Sequence, residues 1–115
     1  MSVSIAYRQI GPTTAVSVTA SSTTSVTVSA TTNDVLTFAS FINTGTVPVA
    51  VQVSPLATAP AAVLPVAGTP ATSFLLPASM NQPIVLAVPS PQFSFTAIGT
   101  AAGPSLLYVT PLIAH

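Results

Sequence analysis

The stretch Val47-Pro48-Val49-Ala50-Val51-Gln52-Val53-Ser54 decides the fold, because valine returns at every second position. Period two belongs to an extended strand, whose successive side chains point to opposite faces. Valine is stiff at χ1 and fits a pleated surface, so the valine face is expected inward and the other face outward. The pattern recurs on the N-terminal side. Val16 and Val18 alternate with Ser17 and Thr19, and Val26, Val28 and Ala30 alternate with Thr27, Ser29 and Thr31. Val35 to Ile42 (VLTFASFI) is apolar at both parities. That predicts a central strand with something packed on each side.

Ser73 to Leu76, Ile84 to Val88, Gln92 to Ile98 and Leu106 to Thr110 read as further strands. The set is about eight or nine short strands near ten-residue intervals, the spacing of an antiparallel sandwich or jelly roll. Twelve prolines are scattered from Pro12 to Pro111 with β-branched residues dominating between them, and the prolines and the period-two pattern together leave no helical window of ten residues. The expected fold is therefore all-β: a single antiparallel β-sandwich of jelly-roll type over residues 1–115. Asn43-Thr44-Gly45-Thr46 is the clearest turn, since Asn and Gly accept positive φ. Thr32-Asn33-Asp34 and Ala101-Ala102-Gly103-Pro104 are two more. Residues 1–14 are read as an N-terminal arm. Pro55 to Pro70 (PLATAPAAVLPVAGTP) is so proline-rich that it is expected as an edge strand or extended arm.

Charge bounds the function. The chain has one cation, Arg8, and one acid, Asp34, so it is 2% charged where a soluble domain carries about a quarter. Its mean hydropathy is +0.80. Free proteins stay dispersed by net and mixed surface charge, and here both are lacking. Such a chain belongs in a membrane, a fibre or an assembly that covers its surface. A spanning helix needs about 20 consecutive apolar residues, and Pro65, Pro83 and Pro89 interrupt every candidate run. An outer-membrane barrel would need aromatic girdles, and only Tyr7 and Tyr108 could serve. The start of the chain lacks the basic and apolar regions of a signal peptide. One arginine cannot neutralise a phosphate backbone, so nucleic acid is not an expected partner.

Catalysis is not expected either. General acid–base work wants a positioned His or carboxylate, and the chain offers His115 and Asp34 alone. With no cysteine, no metal set can be assembled, and no cofactor site is expected. Gly99-Thr-Ala-Ala-Gly103 lacks the lysine of a phosphate loop and reads as a hairpin turn. Arg8, on an early edge segment, and Asp34, in a turn before a strand, read as solvated side chains or as a pair fixing an apolar contact. Phe38 and Phe74 are expected in the core. Phe93 and Phe95 share a face, whereas Phe38 and Phe41 lie on opposite faces, so one of these two looks outward toward a partner. The candidate interface is Arg8, Asp34 and Phe41, with Pro60, Val63, Leu64 and Pro65 of the proline-rich segment.

Three segments together carry a resemblance: Phe41-Ile-Asn-Thr-Gly-Thr-Val-Pro-Val-Ala-Val51; Ser73-Phe-Leu-Leu-Pro77 followed by Gln82-Pro-Ile-Val-Leu86; and Ala97-Ile-Gly-Thr-Ala-Ala-Gly-Pro-Ser-Leu-Leu-Tyr-Val-Thr110. Over roughly residues 35 to 111 the chain resembles the small β-sandwich decoration or cement proteins of tailed bacteriophages. The resemblance implies a non-enzymatic virion protein, made in the host cytoplasm and placed on the capsid exterior. It would clamp major capsid subunits as a homo-oligomer, a trimer before a dimer. The alternative is a head-fibre or tail-associated module that recognises a host surface glycan or protein. The scarcity of Trp, Tyr and charge weighs against glycan recognition.

Overall fold

A computed structural model describes residues 7–29, 37–55, 58–88, 92–101 and 105–114. Its strands are β1 Tyr7–Gln9, β2 Thr14–Val18, β3 Val26–Ser29, β4 Thr37–Asn43, β5 Val49–Ser54, β6 Phe74–Leu76, β7 Ile84–Ala87, β8 Gln92–Gly99 and β9 Ser105–Ala114. No helix occurs among the described residues. The first sheet runs β1-β9-β4-β7, with β2 also on β9, and the second runs β3-β8-β5-β6.

The antiparallel pairing is nested: β2 with β9, β3 with β8, β4 with β7, and β5 with β6. A single long hairpin, folded between β5 and β6 and then rolled up, produces this nesting. Apart from β5 to β6, each step along the chain from β2 to β9 changes sheet. This is the jelly-roll arrangement, and the expected antiparallel sandwich is the fold the chain adopts.

The alternating faces meet between the sheets. Phe41 and Val109 of the first sheet face Val49, Val51, Phe93 and Phe95 of the second, all within 1% of full burial. Phe41 packs edge-to-face on Phe74 across the gap, with ring centroids 5.3 Å apart. Each such side chain contributes about 1.5–3 kcal/mol relative to exposure.

The N-terminal arm is in part a strand. Gln9 stands opposite Leu112 and Thr14 opposite Val109, so residues 10–13 bulge against residues 110–111. The excess is two residues, which keeps the inward–outward alternation of β1 in phase with β2. Pro111 explains the bulge. Its carbonyl accepts from Ile10 N at 3.0 Å, so the N–H it lacks falls on the β1–β2 side of β9. The ladder is broken there anyway, and β9 runs on through Pro111 instead of ending at Thr110.

The proline-rich segment is neither an edge strand nor a free arm. Residues 59–63 lie across the outer face of the second sheet, pinned by side chains. Thr96 Oγ1 donates to Pro60 O (2.6 Å), Ala59 N to Ser25 Oγ (2.9 Å) and Ala62 N to Ser22 Oγ (3.0 Å). Proline has no N–H to lose, so such a strap is held through its carbonyls and its few remaining amides. It also changes the expectation for β5. Ala50 and Ser54, on the face predicted to be solvated, are buried at 0% and 5% exposure.

The turn after β4 also departs from its expected chemistry. Positive φ among the described residues falls at Ser79 (53°) and Gly68 (83°), not at Asn43 or Gly45. Asn43 stays in β4 with its side chain buried. Its Nδ2 donates to Val47 O (2.9 Å) and Pro77 O (3.2 Å), and its Oδ1 accepts from Gly45 N (3.0 Å). Thr32-Asn33-Asp34 and most of the turn at 101–104 lie outside the described residues.

Candidate interaction surfaces

The two outer faces of the sandwich differ. On the second sheet, Ser94 and Thr96 point outward yet are 0% and 2% exposed, and Thr96 is bonded to the strap through Pro60 O. On the first sheet no described segment lies over the outward residues. Directly paired residues share a face, so the ladder assigns them to rows. Ala15, Tyr108 and Ile42 form one row, and Gln9, Leu112, Phe38 and Ala87 another. Between them, Thr110, Ser40 and Val85 form a row that starts with hydroxyls. Thr110 Oγ1 and Thr13 Oγ1 share a hydrogen bond of 2.8 Å. Leu106 extends the face at 38% exposure, and Tyr7, also 38% exposed, stacks edge-to-face on Phe38 at 5.4 Å.

This face is a half-buried apolar surface crossed by a neutral hydroxyl stripe, with no charge from the residues of its rows. It can make dry contacts and neutral hydrogen bonds. The residues of its rows include no His, Asp, Glu, Lys or Cys. The alternation of VLTFASFI at both parities had required a layer on each side of β4. One side is the core, and the chain itself supplies no described layer for the other.

The expected interface residues are scattered. Phe41 is 0% exposed and belongs to the core, so it cannot meet a partner. The outward phenylalanine is Phe38, half-buried under Tyr7 rather than in the core where it was expected. The two exchange roles because β4 turns its odd-numbered residues inward. Arg8 is exposed in β1, at the far edge of the first sheet. Asp34, and with it any pairing to Arg8, lies outside the described residues. Pro60 and Pro65 are exposed on the strap, Val63 is 61% exposed and Leu64 is half-buried. Pro60, bonded through its carbonyl to Thr96, therefore sits on the face of the molecule opposite Tyr108, and Val63 lies beside Ser73 at the β6 edge. Sequence reasoning missed Ile42, Leu106, Tyr108 and Leu112. The signal was present in LLYVTPLI, which is apolar at both parities like β4.

A third feature lies at the side of the sandwich between β6 and β7. A cavity of about 320 Å³ opens there, lined by Phe41, Val53, Phe74, Leu86, Ala87 and Val88. The opposite side is closed, since the connection from β2 to β3 bonds along β8 through Gly99 N to Thr19 O (2.7 Å) and Thr23 N to Ala97 O (2.8 Å). No protein-family model matches the chain, and it matches no curated protein and no solved structure.

Proposed function

We propose that this chain is a non-enzymatic structural protein of a virion, which decorates a bacteriophage capsid and stabilises it by binding major capsid subunits. The observation that carries the reading is the uncovered apolar face around Tyr108, Ile42 and Phe38 on a jelly roll with almost no charge. A cement protein has to hold neighbours together, so it needs contact surfaces in more than one direction. The face of the first sheet and the strap, with Pro60, Val63 and Pro65 exposed, lie on opposite sides of the sandwich and meet that need. Apolar burial and neutral hydrogen bonds supply the adhesion, at about 25 cal/mol per Å² less the costs of association. The protein acts as a homo-oligomer on the capsid exterior.

The test is to mix recombinant protein with capsid shells that lack it and to sediment the mixture. The wild type should pellet with the shells. Tyr108→Asp and Ile42→Lys place a charge where it would be buried unpaired, and should bind at least tenfold more weakly while keeping the wild-type β spectrum. Equal binding by all three proteins would remove this face from the reading. Failure of the wild type to bind any shell would remove the capsid.

A further inference from the structure

We infer that β7 is the docking edge for a second copy of this chain, pairing two sandwiches antiparallel about a two-fold axis beside the apolar cavity. The inference does not rest on the capsid reading. It begins with how each edge of the sheets is guarded. The β1–β2 edge carries a two-residue bulge, Pro12 and Arg8. Alongside β6, Ser73 Oγ donates to Val63 O of the strap, and at the start of β3 Ser25 Oγ accepts from Ala59 N of the strap. Bulges, prolines, charges and covering segments are the means by which native edges avoid pairing. Ile84-Val85-Leu86-Ala87 has none of them, and no described segment pairs with its outer side.

Backbone alternation identifies the free groups. Asn43 O accepts from Met80 N (2.9 Å), and Thr44 N donates to Leu106 O (3.0 Å). The odd residues of β4 therefore bond toward β7 and the even ones toward β9. Ala39 and Phe41 stand opposite Leu86 and Ile84, so these two direct their N–H and C=O groups at β4. Val85 and Ala87 direct theirs outward. Only an extended strand satisfies such a row, and the register that uses both residues pairs Val85 of one copy with Ala87 of the other. That register is its own two-fold image. It brings the Leu86 side chains together on the axis.

The side chains support the same occupant. Ile84 and Leu86 share the inward face with Phe41 and Ala39, which are 0% exposed, yet they remain 37% and 36% exposed. A second sandwich would cover both and close the mouth of the cavity that Leu86 lines. The two edges also match in charge: neither β7 nor the cavity lining contains an ionisable side chain, and Arg8 is at the opposite edge of the sheet. No like charges meet and no charge is desolvated. The pair has two-fold symmetry, the dimer rather than the trimer of the two homo-oligomers expected.

The chain has no cysteine, which allows a clean trap. Facing residues in a non-hydrogen-bonded antiparallel pair have Cα atoms about 4.5 Å apart, within disulfide range. Leu86→Cys should cross-link into a dimer under mild oxidation in the native state. Val63→Cys, at a more exposed position, and Ser17→Cys, at the other edge, should cross-link at least tenfold more slowly. Val85→Pro removes an outward N–H that β4 does not use. Combined with Leu86→Cys it should abolish the cross-link while leaving the β spectrum unchanged, and Ala87→Lys serves the same purpose should the proline variant not fold. Sedimentation of the wild type should show a monomer–dimer equilibrium that Val85→Pro shifts to monomer. Cross-linking of Leu86→Cys no faster than Val63→Cys would overturn the inference. So would a wild type that stays monomeric up to millimolar concentration, or an assembly of higher order that Val85→Pro leaves intact.

Discussion

Asn43 and Gly45 show how one polar residue and one glycine fix the end of this sandwich. Asn43 is fully buried, and all three of its side-chain hydrogen bonds go to backbone groups of the turn after β4 and of Pro77. Asn43→Ala would leave Pro77 O and Gly45 N without those partners, at a cost of about 2–4 kcal/mol. A melting curve should fall by roughly 4 °C or more for each kcal/mol lost. Gly45 has ordinary φ but no space, because a Cβ there would overlap Cα, Cβ and Oγ of Ser105. Ser105 Oγ in turn holds Val47, donating to its carbonyl at 2.8 Å and accepting from its N–H at 3.1 Å. Gly45→Ala should therefore destabilise by at least about 2 kcal/mol, since backbone of β9 would have to move. Gly68→Ala, in open space but at positive φ, should cost only about 1 kcal/mol. A larger loss at Gly68 than at Gly45 in chemical denaturation would contradict this ranking. The sequence signalled a turn at Asn43 to Thr46, but the reason lay in a long-range contact with Ser105 that no local pattern records.

Among the elements, the strands were the most legible and the proline-rich segment the least. Period two at Val26–Ser29 and Val49–Ser54 is a local property, enforced by one buried face, and it appears in the sequence directly. The strap depends on hydrogen bonds to Ser22, Ser25 and Thr96, far away in the chain, so its prolines suggested an edge while its partners stayed invisible. β1 was hidden because three residues carry too little periodicity to stand out. The inversion of Phe38 and Phe41 followed from the same limit: alternation shows that they oppose each other, not which of them meets the core. The strap has a measurable consequence. Deleting residues 57–66 removes the Thr96–Pro60 bond and opens the outer face of β8 around Thr96 to water. The deleted protein should keep its β spectrum but unfold at lower denaturant, and amides of β8 should exchange faster than those of β9. Unchanged exchange in β8 would show that the strap contributes nothing there.

At the scale of the molecule, one composition governs both folding and adhesion. With two formal charges in 115 residues, the sandwich is held by apolar burial and neutral hydrogen bonds, and in the proposed role it would hold its neighbours in the same way. Even its outer surfaces reflect this, with a strap on the second sheet and an apolar face waiting on the first. Ion pairs at a surface are screened over about 8 Å at physiological salt, and phosphate contacts weaken steeply as salt rises. Apolar burial is not weakened in this way, and excluded anions such as sulfate strengthen it. Side chains that change charge between about pH 5 and 9 are confined to His115. For the proposed capsid role the most direct measurement is to load the protein onto capsid shells, sediment them from 0.05 M and 2 M sodium chloride at pH 5, 7 and 9, and assay pellet and supernatant for the chain. The protein should remain in the pellet under all six conditions, and leave it only in guanidinium or on heating. Release by sodium chloride alone would mean that an electrostatic grip holds the protein, which contradicts an adhesion made of burial and neutral hydrogen bonds.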